Sequence, residues 1–555
     1  NIVWAPLEEN IVSVSLSANW MWPCKNEGED ARLYKAVEAV SEFAINLGIN
    51  VPTGKDSLSM KQKYKDMEVI SPGTVVISAG GHCNDIKKIV EPVFVKDPGN
   101  KIFYINLSQD SYKLGGSSFA QTKNKLGSST PTIKDDKFFK NAFNSVQELI
   151  KLDLISAGHD VSAGGLITTL LEMCFADNKL GADIDLSGLT ETDSIKLLFS
   201  ENSGLVFQST QPDIVESILN KANIQYNIIG TAKESDFVKV KNGNFSNDFH
   251  ISQLRDIWYE TSYLLDQQQS GVKAATLRFD NYKNQALKFH FNNKSIIKKP
   301  KHSGTRPKVA VIREKGSNSE REMANALYLA GFDVKDVHMT DLISGRENLQ
   351  DIQMIAAVGG FSNSDVLGSA KGWAGAFIYN EKANKALKDF FARDNTLSFG
   401  VCNGCQLFIE LGLINPDHEE KPKMLHNDSH KFECNFTSVT IEKNNSVMLN
   451  SLEGSTLGIW AAHGEGKFNL PYTEDRYNIV GKYAYNAYPS NPNGSDYGTA
   501  IMTSDNGRHL VMMPHAERSI FPWNWANYPI ERKDDEVSPW LEAFENARKW
   551  CLENK

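Results

Sequence analysis

The segment that most constrains the fold of this chain is 397–408, LSFGVCNGCQLF. Its apolar first half reads as a buried strand and residues 405–411 read as a helix, so the chain must turn sharply at Cys402. Such a turn holds a side chain at the start of a helix, where amide groups and the positive helix end stabilise a thiolate or an oxyanion. The pattern predicts a nucleophile elbow with sulfur in place of oxygen. A buried structural cysteine is the alternative interpretation, and it usually applies to a cysteine considered alone.

Composition and charge bound the class of protein. At 555 residues the chain is long enough for several domains with cores of their own. The net charge of −9 and the lack of a long basic run argue against a nucleic-acid partner. No apolar run approaches the length of a membrane span, and no signal peptide opens the chain. Seven scattered cysteines suit a reducing compartment, so we expect a cytoplasmic protein without a membrane partner.

Strand and helix patterns alternate along the first 261 residues, which predicts an α+β architecture. In the first hundred residues we predict a short strand over 11–16, an aromatic loop at 18–23, a helix over 31–43 stopped by Gly48, a polar turn over 51–60 and a strand over 74–79. A second unit, from residue 98, starts with a strand at 101–107 and has helices over 143–154 and 166–175.

Residues 262–305 are poor in periodicity and rich in Gln, Asn and Lys, which predicts a linker. From Lys308 to Val401, apolar strands alternate regularly with helices, a pattern typical of a doubly wound, mostly parallel sheet. Ligands of such sheets bind at the carboxyl ends of the strands, where Cys402 stands. We therefore expect a multidomain α/β and α+β protein with units at 1–97, 98–261 and 306–555.

A partner for Cys402 lies downstream in 509–517, HLVMMPHAE. His515 and Glu517 close what reads as a strand, and a spacing of two places both side chains on the same side of an extended segment. Glu517 can then fix the tautomer of His515 while His515 accepts the thiol proton, which makes a Cys–His–Glu triad. The His-x-Glu pair alone is a weak signal, but beside a cysteine elbow on a parallel sheet it is a strong one.

The pair of Cys402 and Cys405 allows two other interpretations. A C-x-x-C pair occurs in thioredoxin-like redox sites, but such a site needs no separate histidine and glutamate. It also forms half of a zinc ribbon, but the sequence has no second C-x-x-C and the other cysteines are far apart. The triad is favoured over both, and Cys405 then reads as a packing neighbour of the nucleophile.

The segments around the triad, GVCNGCQ at 400–406 and PHAER at 514–518, resemble the signatures of class I glutamine amidotransferases. They are most similar to the glutaminase domain of the phosphoribosylformylglycinamidine (FGAM) synthases in their large single-chain form. Other matching segments follow in order along the whole chain: LSANWM at 16–21, GKDSLSM at 54–60, GHD at 158–160, VGGFS at 358–362, AHGEG at 462–466 and NPNGS at 491–495. The resemblance implies an aminoimidazole-ribonucleotide-synthetase-like α+β unit followed by a flavodoxin-like glutaminase domain.

This resemblance implies roles by position. Cys402 would attack the side-chain amide of glutamine and form a thioester, His515 would protonate the departing ammonia, and Glu517 would orient His515. The glycine pair in 359–361 would supply one amide of the oxyanion hole and Asn403 the other.

The first half resembles the second synthetase-like repeat of the same enzymes, which implies ATP or ADP and Mg²⁺ as cofactors. Asp160 and Asn1 match positions of metal ligands, and Ser162 matches a nucleotide contact. A carboxylate suits a hard cation, and a hydroxyl beside a glycine pair can approach phosphate. Where these enzymes have an acidic residue after the serine, this chain has Ala163.

The implied function is the ATP- and glutamine-dependent conversion of formylglycinamide ribonucleotide to formylglycinamidine ribonucleotide, a ligase step of purine biosynthesis. The partners would be glutamine, the ribonucleotide and an N-terminal half of the same enzyme, because the chain begins at Asn1 without a methionine. The full-length protein would be a monomer. Two alternatives stay open: another class I amidotransferase fused to a different acceptor unit, and a regulatory scaffold with an inactive nucleotide site.

Overall fold

The computed structural model describes residues 1–177, 179–283 and 287–554. The chain forms two compact units, residues 1–259 and 260–555. Within the described ranges, no helix combines the length and the hydropathy that a membrane span requires.

The first unit mixes strands and helices along its length. Its strands are β1 (Ser15–Met21), β2 (Asn50–Ser57), β3 (Lys61–Lys63), β4 (Glu68–Ile70), β5 (Thr74–Gly80), β6 (Lys101–Asn106), β7 (Ala157–Val161), β8 (Leu180–Asp185), β9 (Gly204–Ser209), β10 (Asn227–Glu234), β11 (Phe237–Asn242) and β12 (Phe245–His250). Its helices are α1 (Glu29–Leu47), α2 (Ser118–Thr122), α3 (Asp136–Lys151), α4 (Gly165–Glu172), α5 (Ser194–Phe199) and α6 (Pro212–Lys221). Helix α7 (Ile251–Ser270) contains the boundary at 259 and 260.

Two larger sheets organise this unit. One has the strand order β2-β1-β5 and the other has the order β12-β11-β8-β10-β6-β9-β7. Strand β6 lies inside the second sheet and is buried on both faces, because Ile102 and Tyr104 pack into one core while Phe103 and Ile105 pack into another. The predicted α+β architecture is confirmed.

Sequence patterns located some elements of this unit correctly and misplaced others. Helix α1, which ends at a left-handed Gly48, and strand β5 are confirmed. The predicted strand over 11–16 is wrong, since 10–13 form a 3-10 turn and β1 takes up most of the predicted aromatic loop. The predicted polar turn over 51–60 is wrong as well, since most of it is β2. Both errors arise because β1 pairs with β2 and β5, and backbone pairing sets strand positions where apolar alternation is weak.

The second unit is built around one large sheet. Its strands are β13 (Lys308–Arg313), β14 (Asp333–His338), β15 (Met354–Ala357), β16 (Leu397–Val401), β17 (Lys423–Leu425), β18 (Glu433–Ile441), β19 (Thr456–His463), β20 (Lys467–Asn469), β21 (Asn478–Tyr483), β22 (Thr499–Thr503) and β23 (His509–Met512). Its helices are α8 (Val272–Asn281), α9 (Glu320–Leu329), α10 (Met339–Ser344), α11 (Lys371–Tyr379), α12 (Glu381–Phe391), α13 (Asn403–Glu410) and α14 (Trp540–Glu553).

The large sheet has the strand order β14-β13-β15-β16-β23-β22-β21-β18-β19. The first five strands run parallel, and the remaining strands are antiparallel to their neighbours. The predicted doubly wound parallel sheet is therefore confirmed for its first five strands. Fully buried Trp373, Phe399, Trp540 and Phe544 belong to the core of this unit.

The interval 262–305, predicted as a linker, contains the end of α7 and the whole of α8. Further along it, His290 bridges to Thr456, and Phe289 and Phe291 contact the ring of Trp525. This part of the interval packs on the second unit. The division into segments at 97, 261 and 305 stays a prediction.

Candidate active site

The carboxyl ends of three neighbouring strands meet at one edge of the large sheet. Strands β15, β16 and β23 are adjacent and parallel. The residues that follow them are the glycine pair at 359–360, Cys402, and His515, three positions beyond the end of β23. Strand pairing thus brings residues that are distant in the sequence to one place, the position where ligands bind in such sheets.

Cys402 occupies the sharp turn between β16 and α13. Its backbone angles, φ 52° and ψ −109°, are unfavourable for an L-residue, which is the strain that an elbow imposes on its central residue. Two glycines permit the turn: a Cβ on Gly404 would lie 2.1 Å from the carbonyl oxygen of Ala357, and a Cβ on Gly400 would lie 2.6 Å from that of Gly404. Cys402 is 6% exposed, and its thiol donates a hydrogen bond of 3.5 Å to the carbonyl oxygen of Ala462.

His515 and Glu517 form a buried pair, but not on a strand. Strand β23 ends at Met512, and His515 is the N-cap of a short 3-10 turn over 516–518. The prediction that a strand places the two side by side is wrong, because Glu517 lies in the 3-10 turn, although His515 itself is extended and bridges to Trp460 of β19. The turn instead brings Nδ1 of His515 to 2.6 Å from Oε1 of Glu517, and both residues are at most 2% exposed.

The charges of this pair stabilise each other. Burial alone would lower the pKa of His515, but the Glu517 carboxylate and the nearby Cys402 raise it to about 9. Burial alone would raise the pKa of Glu517, but the His515 imidazolium holds it below its usual value. The two side chains therefore form an ion pair at neutral pH.

The imidazole of His515 lies beside Cys402. A Cβ placed on Gly359 would be 2.8 Å from Cε1 of His515 and 3.4 Å from Cβ of Cys402, so both side chains flank the same glycine. Cys402 is near enough to help raise the pKa of His515, although its thiol hydrogen bond goes to Ala462. Among the described residues, the buried Nε2 of His515 has no hydrogen-bond partner. This nitrogen is therefore free to exchange a proton with the thiol or with a leaving group.

The two segments predicted to form an oxyanion hole lie at the same edge. Asn403 is the first residue of α13, so its N–H has no acceptor within the helix. The carbonyl oxygen of Gly359 accepts a hydrogen bond of 2.8 Å from the amide of Asn318. Gly360 has φ 109°, a conformation that favours glycine. The bond from Asn318 fixes the peptide that carries the Gly360 amide.

A buried hydrogen-bond network next to Cys402 was missed by the sequence analysis. The side-chain oxygen of Asn403 accepts from the Ser362 amide at 3.1 Å, and its Nδ2 donates to Oε1 of Gln406 at 2.7 Å. Nε2 of Gln406 then donates to the backbone oxygen of Glu465 at 2.7 Å. The available signal was Gln406 itself, a polar residue one turn after the cysteine in a helix that is otherwise apolar. The network links the loop of residues 359–362, helix α13 and the turn of residues 463–466.

Two further titratable groups around the triad are kept neutral. Burial raises the pKa of the Cys405 thiol far above its usual value, and Cys402 nearby raises it further. Burial, with His515 nearby, lowers the pKa of His463 to about 3. In the described part of the chain, no group of three or more His, Cys, Asp or Glu side chains is arranged to hold a metal ion. These features agree with Cys405 as a packing residue.

The residues expected to hold nucleotide and metal lie in the first unit. Oδ1 of Asp160 accepts a hydrogen bond of 3.3 Å from Nε1 of Trp4 and lies 3.9 Å from the amino group of Asn1. Ser162 is exposed, just before the glycine pair that opens α4. One carboxylate, one hydroxyl and one amide are oxygen donors that fit Mg²⁺, which usually keeps waters and phosphate oxygens as its other ligands.

Glu201 connects two glycine-rich loops of this unit, which the sequence analysis also missed. Its Oε1 accepts hydrogen bonds from the amides of Gly164, at 2.9 Å, and Ser118, at 2.7 Å. Gly164 precedes α4 and Ser118 begins α2. Loop amides of this kind bind phosphate oxygens in many proteins, whereas these two donate to the Glu201 carboxylate. Nothing in the sequence pattern around Glu201 distinguishes it from a surface carboxylate.

Three protein families match the chain in sequence. The CobB/CobQ-like glutamine amidotransferase domain matches residues 306–551, which include Cys402, His515 and Glu517. The C-terminal domain of AIR synthase related protein matches residues 97–241, and the FGAR-AT PurM_N-like domain matches residues 1–82.

The chain is also similar to curated enzymes and to solved structures. A probable phosphoribosylformylglycinamidine synthase, chloroplastic/mitochondrial, of Arabidopsis thaliana is 40% identical over 99% of this chain and 41% of its own length. The phosphoribosylformylglycinamidine synthase of Homo sapiens is 38% identical over 100% of this chain and 44% of its own length. The structure of PurLQS from Thermotoga maritima is 25% identical with a TM-score of 0.35, over 45% of this chain and 99% of that one.

The chain spans less than half the length of these curated relatives. Their similarity nevertheless extends over nearly all of it, and the three family matches follow one another without overlap. The chain is therefore related along almost its whole length to the phosphoribosylformylglycinamidine synthases, and its residues 306–551 belong to the CobB/CobQ-like glutamine amidotransferase domain family.

Proposed function

We propose that the second unit releases ammonia from glutamine with Cys402 as its nucleophile. We propose further that the chain takes part in the ATP- and glutamine-dependent conversion of formylglycinamide ribonucleotide to formylglycinamidine ribonucleotide. The observation that supports the first step most strongly is the position of Cys402. It stands at a strained elbow beside His515, and Glu517 holds His515 at 2.6 Å.

In the first half of the reaction, the thiol proton is held on Nε2 of His515, and the Cys402 sulfur attacks the amide carbon of glutamine as a thiolate. The negative charge that develops on the amide oxygen is stabilised by the amides of Asn403 and Gly360. His515 then gives its proton to the departing nitrogen, so that ammonia leaves and a γ-glutamyl thioester forms on Cys402. Glu517 keeps the imidazole in the tautomer that this sequence requires.

The second half of the reaction restores the enzyme. Water attacks the thioester carbon, His515 removes its proton, and glutamate leaves as the Cys402 sulfur is released. Ammonia must reach its acceptor unprotonated, since ammonium has no lone pair with which to attack. The neutral state of His463 and Cys405 beside the triad favours this, because neither group carries a proton that it would give to ammonia at neutral pH.

We assign nucleotide binding to the first unit. Asp160 and Asn1 would hold Mg²⁺ through oxygen atoms, and Ser162 would contact a phosphate oxygen beside Gly164. When bound, ATP would supply the activation of the ribonucleotide amide oxygen. Glu201 keeps the amides of Gly164 and Ser118 in fixed positions next to these residues.

The competing proposal is a regulatory scaffold whose nucleotide site is inactive, and Ala163 is the feature that favours it. The intact triad geometry favours an enzyme. The two are separated by glutamine hydrolysis, because a scaffold without catalytic activity releases no glutamate from glutamine.

The glutaminase step is tested by measuring glutamate release from glutamine with the wild type, Cys402→Ala and Cys405→Ala. We expect Cys402→Ala to lose at least about 1,000-fold in kcat. Cys405→Ala, the matched control at the second cysteine of the same turn, should stay within a few-fold of the wild type. Retention of wild-type turnover by Cys402→Ala would remove the triad from the proposal.

A further inference from the structure

The end of helix α7 and helix α8 contact two loops of the second unit. Helix α7 ends at Ser270, the next residue Gly271 has φ 79°, and α8 begins at Val272. The positive φ of Gly271 lets the chain fold back at once, so α8 lies beside the end of α7 and Arg278 reaches Asp266. The last turns of α7 and the whole of α8 lie in the interval 262–305, which the sequence predicts as a linker.

Arg278 on α8 lies at the centre of a half-buried charged cluster. Its guanidinium makes close contacts with the Asp266 carboxylate and the Tyr488 hydroxyl, and it lies 3.8 Å from Oε2 of Glu433. The guanidinium also lies over the Tyr488 ring, 5.0 Å from its centre. The Tyr488 hydroxyl in turn donates to Oε1 of Glu433 at 3.1 Å. Arg278 therefore connects a linker helix to the first residue of β18.

Neighbouring contacts strengthen this connection. Nδ2 of Asn281 donates to the backbone oxygen of Tyr488 at 2.9 Å, and its Oδ1 accepts from the Tyr485 hydroxyl at 2.9 Å. Nζ of Lys431 donates to Oγ of Ser270 at 2.8 Å. The two helices thus hold both the 485–488 loop and the segment 427–433, which we call the support loop.

The support loop forms hydrogen bonds with the end of β19, which lies beside Cys402. Nδ2 of Asn427 donates to the backbone oxygen of His463 at 2.7 Å, and its Oδ1 accepts from the amide of Gly466 at 2.9 Å. Glu433 stands opposite His463 where β18 pairs with β19. The residue before His463 is Ala462, whose carbonyl oxygen accepts the Cys402 thiol.

The support loop also contacts the loop of residues 359–362. The ring of Phe432 lies 5.8 Å from the ring of Phe361, which follows Gly360 in the chain. Both rings are exposed, 51% for Phe432 and 44% for Phe361. No core packing encloses these rings, so their mutual position depends on where the support loop is held.

We propose that Arg278 is a positioning residue for glutamine hydrolysis. Arg278 fixes the support loop through Glu433 and Tyr488. The support loop then holds Phe432 against Phe361, beside the oxyanion amide of Gly360. It also holds the end of β19 that faces Cys402. Loss of Arg278 leaves Glu433 half-paired at a buried position, and the support loop is then free to move. This inference rests on the proposed glutaminase function and deepens it.

The role requires an arginine rather than any cation. A guanidinium can contact Asp266, Glu433 and the Tyr488 hydroxyl at once and stack on the ring, whereas a lysine ammonium is a compact charge that cannot do both. Arg278→Lys should therefore keep part of the glutamine hydrolysis that Arg278→Met loses.

Steady-state glutamine hydrolysis by Arg278→Met, Arg278→Lys and Phe432→Leu tests the proposal. We expect kcat of Arg278→Met to fall about ten- to hundredfold, because an oxyanion donor that is misplaced stabilises the transition state poorly. KM for glutamine should change less than about threefold. Arg278→Lys should be intermediate, and Phe432→Leu, which leaves the charged cluster intact, should lower kcat in the same way.

Arg476→Met is the matched control, because Arg476 stacks on Tyr472 in the same unit at 5.4 Å without touching the support loop. It should keep wild-type kcat. The proposal is overturned if Arg278→Met keeps wild-type kcat or changes only KM. It is also overturned if Phe432→Leu keeps wild-type kcat, and this second test still applies if Arg278→Met fails to fold. Cys402→Ala separates this proposal from the proposed glutaminase function. The activity of Cys402→Ala tests the glutaminase function, and the Arg278 variants test only the positioning role.

Discussion

At the scale of single residues, the proposed reaction depends on where one proton lies between Cys402, His515 and Glu517. The Glu517 carboxylate reverses the effect of burial on His515 and raises its pKa to about 9. His515 therefore keeps a proton through the neutral range, the proton that the leaving ammonia needs. Above pH 9 this proton is lost, so turnover should fall on the alkaline side.

Glu517→Gln should lower the pKa of His515, since it removes the carboxylate that raises the pKa and keeps the burial that lowers it. We expect the alkaline limb of kcat/KM to move from near pH 9 to lower pH. We also expect kcat to drop by about 10²–10⁴-fold, because the imidazole loses the group that fixes its tautomer. A pH–rate profile measures both. Glu474→Gln, in an exposed ion pair with Lys482, is the control, and an unmoved limb in Glu517→Gln would contradict the assignment.

The same pair should make stability depend on pH. The contribution of His515 is fully present below its unfolded pKa of about 6.5 and is lost as pH rises through about 9. The contribution of Glu517 is present above its unfolded pKa, about 4.3, and is lost as pH falls. Urea unfolding of the wild type and Glu517→Gln should therefore differ most between about pH 4.5 and 6.5. A difference that grows towards pH 10 would contradict this sign.

At the scale of elements, the site is a property of strand ends. Strand β15 delivers the glycine pair, β16 delivers Cys402 and β23 leads to His515, and their parallel pairing aligns the three. The elbow itself depends on how closely α13 approaches β15, which is set by Gly404.

Gly404→Ala should break this approach. Its Cβ would fall 2.1 Å from the carbonyl oxygen of Ala357, so backbone must move. We expect a loss of about 1–3 kcal/mol in the free energy of unfolding, together with a loss of glutamine hydrolysis. Urea denaturation and the glutaminase assay measure the two effects. Gly375→Ala on α11 is the control, because its Cβ would meet only the Tyr379 ring at 3.8 Å. Equal stability of the two variants would show that the turn tolerates a side chain.

Much of the second unit could be predicted from its sequence, because buried parallel strands read as continuous apolar runs and the helices between them carry clear periodicity. The elbow at Cys402 was predictable for the same reason. The sequence predicts that a strand brings His515 and Glu517 together. A 3-10 turn over 516–518 does so instead, and no strand period describes such a turn. Strand β2 could not be predicted, since it is polar and exposed and is defined only by pairing with β1. Glu201 and Arg278 act through contacts with distant segments, which leave no local pattern.

At the scale of the whole molecule, two units with separate cores carry two kinds of site. The first has the oxygen donors and glycine-rich loops to which we assign a nucleotide, and the second has the residues of the proposed triad. An enzyme that moves ammonia from glutamine to an ATP-activated acceptor needs both functions. This division explains why the family matches change along the chain.

Asp160→Ala should weaken binding of ADP in the presence of Mg²⁺ by at least about tenfold, because it removes the carboxylate ligand. Isothermal titration calorimetry measures the affinity. Asp183→Ala, which removes an exposed ion-pair partner of Lys233, should bind as the wild type does. If Asp160→Ala binds ADP and Mg²⁺ with unchanged affinity, Asp160 is not part of the site.

The proposed function requires that glutamine is cleaved through a covalent intermediate on Cys402. Acid quenching during turnover, followed by mass spectrometry of the peptide that contains residues 402 and 405, tests this most directly. We expect a γ-glutamyl adduct in the wild type and in Cys405→Ala, and none in Cys402→Ala. An adduct that persists in Cys402→Ala, or that disappears in Cys405→Ala, would contradict it.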